Sequence, residues 1–286
     1  MKQRKNRKQA SFASWFAAII VLLAIVAAGV YVVRMAMHPK PSSQDTEQTA
    51  LPTLPASSAP ASSTSVAPIQ HPITQAEAGP ADASTAPLPA LADSDTDVLD
   101  AVSKLAGNGD LRSLLAPSQL ISRTVATVDA LPKHSMGSSF ILPLHTPKGS
   151  LQTAQANGIS VIGPGNAARY EPYIAVLESV DPHALVAWYR HSYPLFQQAY
   201  RELGYPHGYF NDRLVTAIDD MLAAPELHGP IAVTPSGSRY LFADPQLQSL
   251  SNGQKLMVRM GPANEQQFKA KLRMIRSLLA GGQIGH

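Results

Sequence analysis

The longest apolar run of the chain extends from Trp15 to Val33 and contains neither a charged residue nor a proline. At about 1.5 Å of rise per residue, a helix of this length nearly spans the roughly 30 Å hydrocarbon core of a bilayer. Five basic residues and no acidic residue precede it, a bias that keeps such a segment in the cytoplasm. The pattern predicts a cytoplasmic tail over 1–13, a transmembrane helix over 14–34 and export of the remainder.

A cleaved secretory signal is the alternative for this run, because it also has a basic start and an apolar centre. Apolar cores of cleaved signals usually extend over about 7 to 15 residues before a small-residue cleavage site. Here the apolar residues continue beyond Ala27-Ala28-Gly29 to Val33. The length therefore favours an uncleaved anchor.

The hydrophobic pattern disappears between residues 35 and 92, where proline, serine, alanine and threonine dominate and large apolar side chains are sparse. Such a composition buries too little surface to offset the entropy lost on ordering. We therefore predict that 35–92 is a disordered linker that separates the anchor from a folded domain.

From residue 93 to 286 the apolar positions mostly recur at intervals of three and four, which predicts helices. Ser94, followed three positions later by Asp97, resembles a capping box for the first of them. Pro194 interrupts the longest pattern and predicts either a kink or two helices in tandem. The predicted helices begin and end near 94–105, 118–131, 170–180, 182–203, 210–222, 255–260 and 268–279.

Short apolar runs indicate a minor β component. The runs at 140–142 and 159–162 are candidate strands, and those at 231–233 and 240–242 flank Pro235-Ser236-Gly237-Ser238, which has the composition of a turn. The predicted fold class is mainly α, or α+β, with a small hairpin or minor sheet.

Charge and composition exclude several kinds of site. The net charge of +3 originates before residue 93, and basic and acidic residues balance in the folded part. We therefore expect no nucleic-acid partner, since that needs a basic face on the domain. The chain has no cysteine, and its nine histidines do not fall in metal-ligand spacings. We expect no metal and no cofactor.

Several longer motifs occur in one order along the domain. They are Val125-Ala126-Thr127-Val128-Asp129-x-Leu131-Pro132, Arg169-Tyr170-x-Pro172-Tyr173, Leu203-Gly204-Tyr205-Pro206, Phe210-Asn211-x-Arg213-Leu214 and Arg259-Met260-Gly261-Pro262-x-Asn264. Together they resemble the bacterial family catalogued as domain of unknown function 3014. The resemblance implies an envelope protein with a membrane anchor and no assigned activity. It places the anchor in the bacterial inner membrane and the domain in the periplasm or elsewhere outside the cytoplasm.

The motifs contain polar side chains that could form a binding face, because guanidinium and amide groups require partners. The alternative is that they are satisfied inside the fold by Asp129, Asp219 and helix ends. The candidate binding residues are Arg123, Arg169, Tyr170, Asn211, Arg213, Arg259 and Asn264.

No residue is assigned a catalytic role. Glu202 and Asp212 flank a Gly-Tyr-Pro turn and could act as an acid and base pair in glycoside cleavage, although carboxylates at helix ends usually cap or remain solvated. The loop Gly163-Pro164-Gly165-Asn166, with Arg169, could hold an anion, or simply form a loop and a helix cap. The basic run at 269–276 is interpreted as the solvated end of the last helix.

The pattern as a whole favours a single-pass membrane protein whose exported domain is a non-catalytic binding or interaction module. Its expected partners are the membrane, through Trp15–Val33, and an envelope protein or the cell wall. The alternatives are a cell-wall hydrolase or lytic transglycosylase, and a domain that binds a small ligand.

Overall fold

The computed structural model describes residues 68–75, 87–106, 111–116, 118–135, 143–237 and 239–280. The predicted tail and transmembrane helix lie outside these residues. Among the residues described, no helix combines the length and the hydrophobicity needed to cross a bilayer. The described part is mainly helical with two small antiparallel hairpins, which confirms the α+β prediction for the domain.

The helices lie close to the positions that the periodicity predicts. Short 3-10 helices at Ile73–Gln75, Leu91–Asp93 and Pro164–Arg169 join or precede them. The α-helices are α1 (Asp95–Leu105), α2 (Leu111–Leu114), α3 (Leu120–Ala130), α4 (Glu171–Ser179), α5 (Pro182–Glu202), α6 (Phe210–Leu222), α7 (Pro245–Ser249), α8 (Asn252–Met260) and α9 (Pro262–Leu279).

The core is centred on α9, which packs against α4, α5, α6 and α8. Its apolar stripe, represented by Phe268, Leu272 and Leu279, is completely buried. On the other side of the domain α3 packs against α5 and α6, and α1 packs against α3. Each of these helices buries one face, as their amphipathic patterns predict.

Two hairpins lie at the edge of the helical core. Strands β1 (Thr153–Ala156) and β2 (Ile159–Ile162) form the first, and β3 (Val233–Ser236) and β4 (Arg239–Phe242) form the second. A bridge between Val161 and Ala232 connects them. The predicted strand at 159–162 and the predicted hairpin are confirmed, whereas the candidate strand at 140–142 lies outside the described residues.

Two details of the predicted helices are corrected. Helix α5 runs without interruption through Pro194, so the prediction of tandem helices is wrong. Pro194 is exposed, and water can therefore replace the hydrogen bond that the ring removes. The Ser94 hydroxyl donates to the carbonyl of Leu91 and does not cap α1, while a complete capping box is formed by Ser251 and Gln254 at α8.

The basic run of α9 is also different from the prediction. Lys269 is 2% exposed, and its ammonium group donates to the carbonyl of Ala224 and lies 3.0 Å from a carboxylate oxygen of Glu265. Arg276 pairs with Asp219. The run consists of Lys269, Lys271, Arg273 and Arg276, and of these Arg273 is exposed. The other three are at least partly buried, because α9 is central to the core and its neighbours surround it.

Part of the predicted linker is folded onto the domain. Residues 68–75 contact the start of α6 through four hydrogen bonds, and Ile73 packs against the main core. Leu88 and Leu91 also pack against it. The composition of 35–92 therefore misled the prediction at these two places, where a few aliphatic side chains find an apolar surface.

Candidate functional site

The best-defined site of the domain is a groove at the start of α6, which we call the α6 groove and define by Tyr209, Asn211 and Asp212. Helix α6 begins at Phe210, after an extended Tyr209 whose side chain does not cap it. Asp212 lies in the first turn, where the helix dipole favours a negative charge. The groove is occupied by residues 68–75 of the same chain.

The Asp212 carboxylate accepts hydrogen bonds from two consecutive main-chain amides. Oδ2 lies 3.0 Å from the amide nitrogen of Gln70, and Oδ1 lies 2.6 Å from that of His71. Hydrogen bonds to an ionised acceptor are stronger than neutral ones. Asp212 thereby fixes the direction of the bound segment.

Asn211 and Tyr209 bind the same segment on either side of Pro72. The Asn211 side-chain nitrogen donates to the carbonyl of His71 at 2.8 Å, and the Tyr209 hydroxyl accepts from the amide of Ile73 at 2.8 Å. Asn211 is fully buried, and its oxygen accepts a bond from the Tyr189 hydroxyl at 3.3 Å. The α6 groove therefore holds residues 70–73 by their main-chain atoms, just where the segment enters its 3-10 helix at Ile73–Gln75.

An aromatic cluster of α5 packs against Tyr209 of the groove. The ring centroids of Tyr193 and Tyr209 are 5.5 Å apart, and Tyr189 packs edge-on against Tyr193. Burial raises the pKa of the Tyr189 hydroxyl well above its ordinary value, and also raises that of Tyr193. Both hydroxyls therefore remain neutral and serve as hydrogen-bonding groups.

Gln197 of α5 holds the loop that leads into α6. Its oxygen accepts from the amide of Phe210 at 2.9 Å and from the Tyr193 hydroxyl at 2.8 Å, and its nitrogen donates to the carbonyl of Gly208. These bonds fix Tyr209 and Asn211 relative to α5. The groove is thus positioned by partly buried polar contacts.

Arg213, a predicted binding residue, is paired inside the fold. Its guanidinium group donates to the carboxylate of Asp129 at 3.0 Å and to the main-chain oxygen of the same residue. Lys133 and Tyr205 share that carboxylate. Burial alone would lower the pKa of Lys133, but the hydrogen bond and charge of Asp129 raise it. This cluster links the end of α3 to α6.

Four other predicted residues meet around the 3-10 helix at Pro164–Arg169. Arg169 donates to the carbonyls of residues 147, 148 and 149, so its guanidinium group holds that loop. Asn264 donates to the carbonyls of Ala167 and Met260 at 2.9 Å. Tyr170 is buried, which raises its pKa. Arg259 lies next to them on α8, with burial lowering its pKa.

The seven predicted residues thus divide between two places. Asn211 and Arg213 lie at the start of α6, and Arg169, Tyr170, Arg259 and Asn264 lie around Pro164–Arg169. Arg123 belongs to neither group, since it lies on α3, where it is partly buried. The predicted set therefore does not form a single face.

The proposed carboxylate pair does not stand out as a reaction centre. Glu202 is exposed and accepts a hydrogen bond from Gln198, and both oxygens of Asp212 bind amides of residues 70 and 71. Within the described part of the chain, no group of three or more acidic or histidine side chains could hold a metal ion.

A family model described as "Protein of unknown function (DUF3014)" matches residues 120–276, more than half of the chain. The chain belongs to the DUF3014 family. No curated protein and no solved structure matches it. The DUF3014 match begins at the first residue of α3 and ends in α9, so it contains the α6 groove and the surroundings of Arg259. Residues 68–75 lie outside it.

Sequence reasoning missed two components of the groove. Tyr209 and Asp212 flank the predicted Asn211, but nothing in their types identifies them as acceptors for main-chain amides. The bound segment had a weak signal, because Ile69 and Ile73 are the isoleucines of the predicted linker. The contact spans more than 130 positions, and periodicity does not reveal such pairs.

Proposed function

We propose that this DUF3014 protein is a single-pass membrane-anchored envelope protein whose exported domain is a non-catalytic interaction module. The α6 groove is its binding site, and its ligand is a short peptide segment that begins a helical turn after a proline. The observation that supports the binding role is the set of hydrogen bonds from Asp212, Asn211 and Tyr209 to main-chain atoms of residues 70–73. The anchor rests on the apolar run at Trp15–Val33.

The geometry of the α6 groove is suited to binding a peptide. Main-chain hydrogen bonds give affinity for a peptide, and a pocket for a particular side chain gives selectivity. Here Ile73 is the side chain that packs against the core, while Ile69 is 51% exposed. Pro72 restricts the backbone before binding, which lowers the entropy lost on docking. The proposed ligand is a short segment with an aliphatic residue directly after proline, at the start of a 3-10 turn as in Ile73–Gln75.

Peptide binding can be tested with full-length protein in detergent. The variant Ile73→Asp removes the aliphatic contact of the chain's own segment and frees the groove. A labelled peptide with the sequence of residues 66–76 should then bind saturably in fluorescence anisotropy. The wild-type protein should bind it more weakly, because its own segment competes at a high effective concentration.

The double variant Ile73→Asp/Asp212→Ala should bind the labelled peptide about tenfold or more weakly, since bonds to a charged acceptor contribute roughly 1.5–3 kcal/mol. Ile73→Asp/Glu202→Ala is the matched control, because Glu202 is an exposed carboxylate at the end of α5. Equal affinity in all three variants, or no saturable binding to Ile73→Asp, would refute the peptide role.

The anchored topology and the non-catalytic role have separate tests. A reporter fused after His286 should be active only outside the cytoplasm, and the mature protein should retain its N-terminus. Degradation of purified cell wall by the full-length protein, lost in Glu202→Gln, would establish the hydrolase alternative instead.

A further inference from the structure

Two cations on consecutive turns of α8, Lys255 and Arg259, lack the partners that other basic residues of the domain possess. Both are partly buried. Neither forms an ion pair with any carboxylate in the described part of the chain, whereas Arg213, Lys269 and Arg276 all do. Like charges at this helical spacing destabilise a helix. An anion bound next to Arg259 would reduce that cost.

The electrostatic surroundings of the pair agree with this interpretation. Burial lowers the pKa of Lys255, and the positive charge of Arg259 lowers it further. Burial also lowers the pKa of Arg259, which the nearby Tyr170 only partly offsets. The protein therefore holds two charges in a place that disfavours both of them.

The guanidinium group of Arg259 is held loosely by the protein. It donates one long hydrogen bond, 3.4 Å, to the carbonyl of Tyr240, and its carbon atom lies 4.8 Å from the ring centroid of Phe242. A guanidinium group has five N–H donors. Arg169, by comparison, directs its donors to three main-chain carbonyls. Most donors of Arg259 thus remain available.

Arg259 lines a cleft of about 200 Å³ between the first hairpin, the loop before β3 and the start of α9. Glycine and proline form much of its wall, at Gly163, Pro164, Gly229 and Pro230. A wall of this composition lets a ligand approach the main chain closely. The cleft is smaller than the roughly 300–1,000 Å³ of sites for drug-sized ligands.

We propose that this cleft, lined by Arg259, binds the carboxylate or phosphate group of a small ligand. A guanidinium group binds either oxyanion in a bidentate manner. Lys255, one helical turn before Arg259 and outside the lining of the cleft, adds a second positive charge at longer range. The site is separate from the α6 groove and goes beyond peptide binding. It requires no cofactor or covalent step.

Calorimetry and thermal unfolding of the full-length protein in detergent test this proposal. Inorganic phosphate and acetate are compared with chloride at equal ionic strength, so that the two oxyanions are distinguished from each other and from screening. One or both should raise the melting temperature above that in chloride, because a ligand that binds only the folded state stabilises it. No difference from chloride for either anion would overturn the proposal.

Arg259→Gln should weaken oxyanion binding by about tenfold or more, and Lys255→Gln should weaken it by a smaller factor, because Lys255 acts only through its charge. In chloride, Lys255→Gln should melt higher than wild type, since the repulsion is gone, and this outcome would not follow from a purely structural lysine. Arg273→Gln, at an exposed arginine of α9, is the matched control and should retain the response. If Arg259→Gln does not fold, Lys255→Gln alone decides: an unchanged oxyanion response in it would refute the site.

Discussion

Individual polar residues in this domain mostly serve the fold through partners that are distant in sequence. Arg213 pairs with Asp129, as the internal-pairing alternative anticipates, but Asp219 pairs with Arg276. The sequence presents each motif residue without its partner, which lies 84 positions away for Arg213. Residue types therefore predicted that these groups need partners, and the fold determines which ones they have.

Lys269 is the basic residue whose role differs most from its prediction. Its ammonium group lies between Glu265, Glu226 and the carbonyl of Ala224, and the lysine and Glu265 are almost completely buried. Burial raises the pKa of Glu265, although the hydrogen bond and charge of Lys269 oppose this. Burial of the Lys269–Glu265 pair therefore costs desolvation free energy, and removal of one partner would cost more because it leaves the other charge buried alone.

We expect Lys269→Met to lower the free energy of unfolding by about 3–5 kcal/mol, because it leaves the buried Glu265 carboxylate without its counter-ion. Urea denaturation followed by circular dichroism measures this change. Arg273→Met on the same helix is exposed and should change stability by no more than about 0.5 kcal/mol. Similar values for the two variants would show that Lys269 is solvated, as the sequence suggested.

At the level of whole elements, hydrophobic periodicity predicted most helices and the second hairpin, because each element buries one continuous apolar face. Its errors concern the ends and interruptions of helices. Pro194 does not break α5, and Ser94 does not cap α1. Both depend on what surrounds a single residue, namely solvent beside the proline and the carbonyl of Leu91 beside the serine.

The capping box of α8 couples that helix to α6. The Ser251 hydroxyl accepts from the amide of Gln254 at 3.0 Å and donates to the carboxylate of Asp220 at 2.6 Å. Burial raises the pKa of Asp220, and the bond from Ser251 opposes that shift. The buried Ser251 hydroxyl therefore caps the N-terminus of α8 and also binds the Asp220 carboxylate of α6.

We expect Ser251→Ala to cost about 1–2 kcal/mol of unfolding free energy, since it removes an N-cap. It also leaves Asp220 with one partner fewer, which places the expected value toward the upper end. Chemical denaturation of Ser251→Ala and of Ser249→Ala, an exposed serine just before it, gives the comparison. A loss equal to that of Ser249→Ala would mean that the capping box is not formed in solution.

For the molecule as a whole, composition predicted that the chain has a folded part after residue 93, and the structure adds pieces of the preceding region to it. Residues 68–75 could not be recognised, because their docking depends on a surface assembled from α5 and α6. The candidate site is similar in this respect. Asn211 was predicted from its motif, whereas the segment that it contacts, residues 68–75, was not predicted.

Hydrogen exchange measured by mass spectrometry on the full-length protein tests the docking of this segment. In the wild type, the amide hydrogens of Gln70, His71 and Ile73 should exchange slowly, because these amides donate hydrogen bonds to Asp212 and Tyr209. Asp212→Ala should accelerate exchange across 68–75 while protection of α9 remains. Glu202→Ala should leave the pattern unchanged, and rapid exchange in the wild type would contradict docking.

In the proposed anchored topology, the docked segment would also limit the distance between the domain and the bilayer. A coil formed by residues 35–86, which ends just before the contacts of Leu88 and Leu91 with the core, would have a root-mean-square reach of about 40 Å, whereas residues 35–67 alone would give about 32 Å. Docking of the segment on α6 would therefore shorten the free tether and reduce the volume accessible to the domain by roughly half. A peptide that displaces the segment from the groove would lengthen this tether. In the proposed topology, occupancy of the groove would therefore regulate which layer of the envelope the domain can contact.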